Sequence, residues 1–205
     1  MERRDNYAIS AARARQLFLE YDQQLLARKL GAKMDDTYFY TTFLAEPYRI
    51  HRSTGDISRC HGGRWLPADS FGEVLTLLDL VCDSRENRHL SGNWKNMRDF
   101  GHGCHQNFLE QRDPWAQRLQ QEPDRFAKAC QALGGAKFPL GDVAYSIPVF
   151  DDLRLLIQLW FGDEEFPAQL RWLWDENALM YLKYETMFYA VPLIQNRICQ
   201  KMEDQ

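Results

Sequence analysis

The densest cluster of side chains able to do chemistry lies in residues 99–105, where Asp99, His102, Cys104 and His105 alternate with glycines. Histidine, cysteine and carboxylate are ligands that transition metals use, and glycines let near neighbours converge. No second half occurs at a recognised metal-ligand spacing, so we assign no metal to this segment. A pocket or active-site loop is one interpretation, and a loop whose polar groups bond its own backbone is the other.

A second group of carboxylates, residues 163–165, falls in a predicted turn between two strands. Carboxylate oxygens suit Ca²⁺ or Mg²⁺, and paired carboxylates also serve acid–base chemistry, although acidic turns are more often only solvated. We expect His102 or His105 to share one cleft with this turn. The predicted ligand-binding residues are Trp94, Arg98, Asp99, His102, His105, Asp163, Glu164 and Glu165.

Two further cysteine–histidine combinations carry alternatives. Cys60 and His61 precede two glycines and are typical of a hairpin turn, although they could supply ligands beside the first cluster. Cys104 with a neighbouring histidine could form a nucleophile and base, which requires a lowered thiol pKa. No signature of a cysteine hydrolase surrounds it.

Three tryptophans, Trp160, Trp172 and Trp174, fall on what are predicted to be adjacent strands. They could form a stacking platform for a flat ligand, and the alternative is simple core packing. Neither phosphate-binding glycine motif nor the serine-hydrolase and zinc-protease motifs occur in the chain.

The composition and charge of the chain argue against two classes of protein, broad nucleic-acid binders and membrane-spanning proteins. The chain has 205 residues, 45% of them hydrophobic, and a net charge of −4, which argues against broad nucleic-acid binding. Residues 1–103 carry 15 basic and 14 acidic side chains, whereas residues 104–205 carry 10 and 15. The acidic half could attract basic partners but is more simply a solvated surface. No apolar run approaches the length of about 20 residues that a membrane span needs.

The cysteines indicate a reducing compartment. Their number, five, is odd, and they are widely spaced without a Cys-x-x-Cys pair. The N-terminal residues lack the apolar core of a signal peptide. We therefore expect five free thiols in a soluble, cytoplasmic protein.

The periodicity of apolar residues predicts the elements that position these side chains. It predicts a long helix over 7–30, and a second helix over 70–82 with Ser70 and Glu73 at capping-box spacing. Residues 84–106 lack periodicity and are predicted to form a long loop. Pro114 and Pro123 are each expected to begin a helix.

Strand signals occupy two regions. Short Thr-, Tyr- and Phe-rich stretches at 37–44, 48–52 and 56–59 predict two or three antiparallel strands. Residues 143–149 predict a half-buried strand near an edge, and 153–161 a central strand covered on both faces. A strand through 170–174 and a C-terminal helix follow. We predict a single α+β domain over 1–205, with a mostly antiparallel five- to six-stranded sheet packed by N-terminal and C-terminal helices.

Several of these stretches resemble one family, in order along the chain. They are LSGNWKNMRD at 90–99, LGG at 133–135 with GDV at 141–143, WFGDEEFPA at 160–168, WD at 174–175 and YL at 181–182. The resemblance is to an uncharacterised bacterial family called domain of unknown function 3786, common in anaerobes, and extends over residues 21–189. The stretch DEEFP is its most specific part.

The resemblance implies an accessory role in anaerobic cofactor or redox metabolism, with no catalytic residues to transfer. Some relatives join this domain to an iron–sulfur motif, which this chain lacks. We expect a binding or accessory domain whose partner is a small molecule or a redox or cofactor protein, without assigning a cofactor. The alternatives are a metal-dependent hydrolase using the His/Cys/carboxylate cluster, and a protein-interaction module using the acidic half.

Overall fold

The computed structural model of the chain describes residues 6–100 and 114–204. Contacts within it group these residues into two compact units, each described here by itself. The first unit comprises residues 6–88 and Leu179–Leu193; the second comprises the described residues between His89 and Ala178, together with residues 194–204. The chain therefore leaves the first unit, builds most of the second, and then returns to complete the first.

The first unit begins with two helices where the sequence predicts one over 7–30. Helix α1 spans Asn6–Glu20 and helix α2 spans Gln23–Leu30. Asp22 separates them, because its Oδ1 accepts hydrogen bonds from the backbone N–H groups of Gln24 (2.9 Å) and Leu25 (3.1 Å). An aspartate in this role satisfies N–H groups that the start of a helix leaves without partners. Gly31 ends α2 in the left-handed conformation, with φ of 58°.

Helix α3 (Phe71–Asp83) is buried nearly all round, whereas the sequence predicts a single apolar stripe. Ser70 is the N-cap residue, but its side chain makes no capping hydrogen bond. The predicted capping box is therefore absent. Glu73 instead accepts a hydrogen bond of 2.5 Å from the hydroxyl of Tyr48.

Four antiparallel strands complete the first unit, in the spatial order β1-β2-β3-β4. Their ranges are Tyr38–Phe43 (β1), Glu46–His51 (β2), Ile57–His61 (β3) and Arg64–Pro67 (β4). One face of this first sheet is core, since Phe39, Tyr48 and Ile50 are fully buried. Gly62 and Gly63, both with positive φ, connect β3 to β4 in the hairpin that the sequence predicts.

The second unit holds a five-stranded antiparallel sheet in the order β5-β9-β8-β7-β6. Its strands are Trp94–Asn96 (β5), Ala136–Lys137 (β6), Val143–Phe150 (β7), Leu153–Trp160 (β8) and Gln169–Asp175 (β9). Strand β8 is central, as predicted. Strand β7 is buried on both faces, because Ala144 and Ser146 are covered as well as Tyr145 and Ile147. The strand that was predicted to be half-buried near an edge is therefore buried on both faces, although it lies next to the two-residue edge strand β6.

Helices α4 (Pro114–Gln121) and α5 (Pro123–Ala132) begin at the two prolines, as predicted, and pack on strands β7, β8 and β9. The segment predicted as a long loop is partly regular, because strand β5 and a 3-10 helix (Met97–Asp99) lie within it. Helix α6 (Tyr184–Glu203) ends the described chain.

The α+β class and the antiparallel pairing predicted from the sequence are confirmed, but the strands form two sheets of four and five instead of one. No helix in the described ranges is both long and apolar enough to cross a bilayer.

Candidate functional site

Trp94 and Asp99, two of the predicted site residues, have structural roles in the second unit. Trp94 begins β5 opposite Asp175 of β9 and packs edge-on against Phe138, with 5.9 Å between ring centroids. Asp99 caps the short 3-10 helix, since its Oδ2 accepts from the backbone N–H of Asn96 (3.1 Å). Arg98 is exposed on the same turn. The Asp99 carboxylate is therefore used within its own segment.

The acidic turn at 163–165 is likewise internally bonded. Asp163 Oδ1 accepts from the backbone N–H groups of Glu165 (2.9 Å) and Phe166 (2.8 Å), and these bonds lower the pKa of the Asp163 carboxyl. Glu164 and Glu165 are exposed. Trp94 pairs at the far end of β9 from this turn, and the six residue steps between Gln169 and Asp175 span about 20 Å.

His102, Cys104 and His105 lie outside the described residues, so the cleft shared with the acidic turn stays a prediction. The pattern of cross-strand partners separates the three tryptophans. Trp172 is opposite Ile157 and Trp174 opposite Leu155, whereas Trp160 is opposite Gln169. Because side chains alternate along a strand, Trp160 lies on the other face of the sheet from Trp172 and Trp174, and the three cannot form one platform.

A network of charged side chains lies at the C-terminal end of α3 in the first unit. This network was not predicted from the sequence. Asp79 and Asp83 are four residues apart and so lie on one side of this helix. The ammonium of Lys183 pairs with both carboxylates, at 3.0 Å from Asp79 Oδ1 and in a short contact with Asp83 Oδ2. The hydroxyl of Tyr21 donates to Asp83 Oδ1 over 2.9 Å.

Asp79 also holds the start of helix α6. Its Oδ2 accepts from the backbone N–H of Lys183 (2.8 Å), and the side chain of Thr186 hydrogen-bonds the same carboxyl. A carboxylate at this position satisfies N–H groups at the beginning of the helix and interacts favourably with its dipole. Asp79 is nevertheless 7% exposed, so removal from water disfavours its charge.

The two carboxyl groups differ in pKa because their surroundings differ. Burial raises the pKa of Asp79. Burial acts in the same direction on Asp83, but hydrogen bonds from Lys183, Tyr21 and Asp79 outweigh it and lower the pKa of Asp83. The pKa of Asp79 therefore lies above that of Asp83. Divergent pKa values within a carboxyl pair are the arrangement that acid–base sites use.

A solvent-open pocket of about 440 Å³ lies beside this network, within the first unit. This volume falls in the range of small-molecule sites. Tyr21 belongs to both the network and the pocket, because it lines the pocket and its hydroxyl binds Asp83. The lining residues are Tyr21, Asp22, Leu25, Leu26, Arg28, Lys29, Cys82 and Glu86.

Lys29 is the half-buried cation of this pocket. Its ammonium donates to the backbone carbonyls of Cys82 and Ser84, each at 2.9 Å, at the C-terminal end of α3. An ammonium has three donors, so one remains for another acceptor. In the described ranges Lys29 has no carboxylate within ion-pair distance, and burial lowers the pKa of its ammonium. The Lys29 ammonium is thus hydrogen-bonded to two carbonyl dipoles, and the carboxylates of Asp83 and Glu86 act on it only from beyond ion-pair distance.

Cys82 is unsuited to nucleophilic chemistry although it lines the pocket. It is 5% exposed, and burial raises the pKa of its thiol to about 12. A thiol with this pKa carries almost no thiolate at neutral pH. Cys82 therefore contributes shape and its backbone carbonyl, and the polar side chains of the pocket are those of Tyr21, Lys29 and the exposed Asp22, Arg28 and Glu86.

A local signal for this site exists in the sequence. Asp79 stands between two leucines in an otherwise apolar helical stretch, and Asp83 follows one turn later. Carboxylates placed within an apolar helix require partners. Their partner Lys183 is 100 residues away from Asp83, and no periodicity within the helix reveals it.

Comparison with known proteins agrees with the resemblance seen in the motifs. Residues 22–196 match the family described as Domain of unknown function (DUF3786), which is most of the chain. The chain belongs to this family. No curated protein and no solved structure matches it. The matched part of this DUF3786 member includes the pocket residues from Asp22 onward, the carboxyl pair and Lys183.

Metal binding receives no support from the described part of the DUF3786 chain. Among residues 6–100 and 114–204, no group of three or more His, Cys, Asp or Glu side chains is arranged to hold a metal ion. Cys60, Cys82, Cys130 and Cys199 are free thiols. Cys104 lies outside the described residues.

Proposed function

We propose that this DUF3786 protein is a binding or accessory domain that holds a small molecule in the pocket lined by Tyr21 and Lys29. The observation that carries the proposal is the half-buried Lys29 ammonium, whose only hydrogen-bond partners in the described chain are two backbone carbonyls. A ligand with a carboxylate, phosphate or carbonyl group would occupy its third donor position. Leu25 and Leu26 offer apolar contact for the rest of the ligand.

The charged network supports a fixed pocket wall. Tyr21 is held by Asp83, and burial together with this hydrogen bond raises the pKa of its phenol to about 12. The phenol is therefore neutral over the physiological range and keeps donating to Asp83. A pocket wall fixed in this way loses less conformational entropy when a ligand binds.

An acid–base enzyme is the second candidate, favoured by the opposed pKa shifts of Asp79 and Asp83. Against it, Asp79 is used to hold the start of α6, and neither carboxylate lines the pocket. A metal-dependent hydrolase would depend on His102, Cys104 and His105, which lie outside the described residues. An interaction module using the acidic half remains a third proposal, and it rests on charge alone.

The free thiols support a setting in the cytoplasm, and we extend the proposal to anaerobic redox or cofactor metabolism, as the resemblance of the motifs implies. A redox or cofactor protein would then receive the bound molecule or supply it. This setting belongs to the proposal together with the ligand.

The test is a screen of small carboxylates and phosphates against the isotopically labelled protein, followed by backbone amide shifts. We expect binders that shift the amides of residues 21–29, and we expect Lys29→Gln to weaken binding by about tenfold, the loss of roughly 1.4 kcal/mol. Lys33→Gln is the matched control, since Lys33 is exposed and does not line the pocket. The proposal would be wrong if the screen found no binder, or if Lys29→Gln left the affinity of the binders unchanged.

A further inference from the structure

The first sheet has a second face that is only partly covered. Tyr40 is opposite Arg49, and Cys60 is opposite Trp65, while Arg49 is also opposite Ser58 on the next strand. Cross-strand partners project to one side, and residues two apart in a strand share that side, so Tyr38 belongs to it as well. Tyr38, Tyr40, Arg49 and Trp65 are all half-buried. We call this surface the aromatic face.

The guanidinium of Arg49 lies at the centre of the aromatic face. Its Cζ is 4.1 Å from the ring centroid of Tyr38 and 4.6 Å from that of Trp65. Tyr40 continues the group, with its ring centroid 6.4 Å from that of Trp65. Guanidinium groups over aromatic rings at these distances are held by cation–π attraction. The rings therefore fix the orientation of Arg49 before any ligand arrives.

The charge of Arg49 has no anionic partner in the described chain. No hydrogen bond or ion pair of its guanidinium occurs within residues 6–100 and 114–204, and its Nε is buried without a hydrogen-bond partner. The carboxylate of Asp35, which binds Tyr40 of this face, accepts from the backbone N–H of Tyr38 (2.7 Å) and from the hydroxyl of Tyr40 (2.7 Å). A positive group with unused donors is thus held on a half-exposed surface.

We propose that the aromatic face is a second binding site, independent of the Lys29 pocket, for a small molecule that joins an oxyanion to a planar or apolar body. The N–H groups of Arg49 pair with the carboxylate or phosphate, because a guanidinium presents several donors in one plane that fit two oxygens. The exposed parts of Tyr40 and Trp65 contact the body of the ligand.

The experiment uses benzoate, phenyl phosphate, inorganic phosphate and neutral phenol as probes for the full chain. Titrations are followed by NMR at the Arg49 Nε–H and the Trp65 indole N–H. We expect at least one of the two aromatic anions to shift both signals, and to bind more tightly than phenol or inorganic phosphate. Saturation by benzoate alone identifies a carboxylate site, and saturation by phenyl phosphate alone identifies a phosphate ester site.

Substitutions separate this site from the surrounding surface. Arg49→Lys keeps the charge but loses the planar donor group, and we expect it to weaken binding by about tenfold. Arg64→Lys is the matched control, because Arg64 is exposed on the same sheet and adjoins Trp65 in sequence, so its side chain projects from the other face. Binding unaffected by Arg49→Lys, or phenol binding as tightly as the anions, would overturn the proposal. Should Arg49→Lys fail to fold, an unshifted Arg49 Nε–H in the native protein would overturn it equally.

Discussion

Burial sets the reactivity of individual cysteines in this chain. Cys82 and Cys130 are 5% and 0% exposed, and burial raises the pKa of both thiols. Cys60 is only half-buried, on β3. Reaction with an alkylating agent requires both access and a thiolate.

We therefore expect iodoacetamide at neutral pH to modify Cys60 well before Cys82 and Cys130 in the native protein. Peptide mass mapping of samples taken over time measures the three rates. Protein denatured before labelling is the control, and there all five cysteines of the chain should react. Equal rates for Cys60 and Cys82 in the native state would contradict the burial of α3.

The Asp83 carboxylate should contribute to stability through Lys183 and Tyr21. Asp83→Asn removes the charge, and we expect a loss of about 2 kcal/mol at neutral pH, as for hydrogen bonds to charged groups. Because the folded-state pKa is lowered, this contribution is present above the unfolded pKa and disappears as the pH falls through the folded pKa. The variant should therefore approach the native protein in stability at acidic pH.

Urea unfolding at neutral and acidic pH tests this expectation. Asp36→Asn is the control, since Asp36 is exposed, and substitutions at exposed positions without special roles change stability by less than about 0.5 kcal/mol. A loss that is the same at both pH values would show that Asp83 acts through packing and not through its charge.

Among individual residues, the sequence pointed to carboxylates in acidic or glycine-rich stretches. It did not point to carboxylates whose partners lie far away along the chain. Asp163 and Asp99 stand out in acidic or glycine-rich stretches, yet both carboxylates bond the backbone of their own turns. Asp79 and Asp83 carry a local signal, as carboxylates within an apolar helix, but nothing near them in the sequence names their partner. What distinguishes them is the contact with Lys183, and only the tertiary structure brings that residue to them.

At the scale of elements, α3 is the helix on which the first unit depends. Leu78 is 2% exposed on it, so Leu78→Ala leaves a cavity and should cost about 2–5 kcal/mol. Leu17→Ala on α1 is a matched control, because Leu17 is 40% exposed and should lose far less. Chemical denaturation measures both. A loss of stability below about 0.5 kcal/mol for Leu78→Ala would contradict the placement of α3 in the core.

The helices show where periodicity succeeds and where it fails. Apolar spacing continues from α1 into α2 without interruption, so the pattern predicts one helix across both. The break comes from Asp22, whose side chain competes for backbone N–H groups. Where a proline ring sets the backbone at the first helical position, as at Pro114 and Pro123, the predicted helix start agrees with the structure.

For the molecule as a whole, the free energy of unfolding should depend on pH through buried carboxyl groups. Some of them make the protein less stable as the pH rises, and others make it more stable. Burial raises the pKa of Glu73, even though the hydroxyls of Tyr48 and Ser70 favour its charge. A raised folded-state pKa means that the contribution of Glu73 is greatest below its unfolded pKa and is lost as the pH rises through the folded value. Asp83 has the opposite slope.

Glu73→Gln removes this dependence while keeping an oxygen that can accept from Tyr48. We expect the variant to gain stability relative to the native protein as the pH rises from 4 to 8, because glutamate carboxyl groups ordinarily titrate at about 4.3 and the folded-state pKa of Glu73 is higher. Urea midpoints at the two pH values measure the change. A difference between the two proteins that stays constant with pH would mean that the pKa of Glu73 is the same in the folded and unfolded states.

The sequence predicted the class of the fold but not the division of its strands. Alternation identifies strands one at a time, whereas the choice of partners depends on contacts between distant residues. Strand β5 is three residues long and pairs with β9 about 80 positions later, as Trp94 and Asp175 illustrate. A strand this short leaves almost no local pattern, and its place in a second sheet could not be predicted from the segment itself.

The order of the two units along the chain has a consequence for biosynthesis. The first unit needs Leu179–Leu193, including Lys183, which pairs with Asp79 and Asp83. On the ribosome, about ninety further residues are made between residues 6–88 and this segment, and at about 5–20 residues per second this takes several seconds. During that time the carboxylates of α3 lack the ammonium of Lys183.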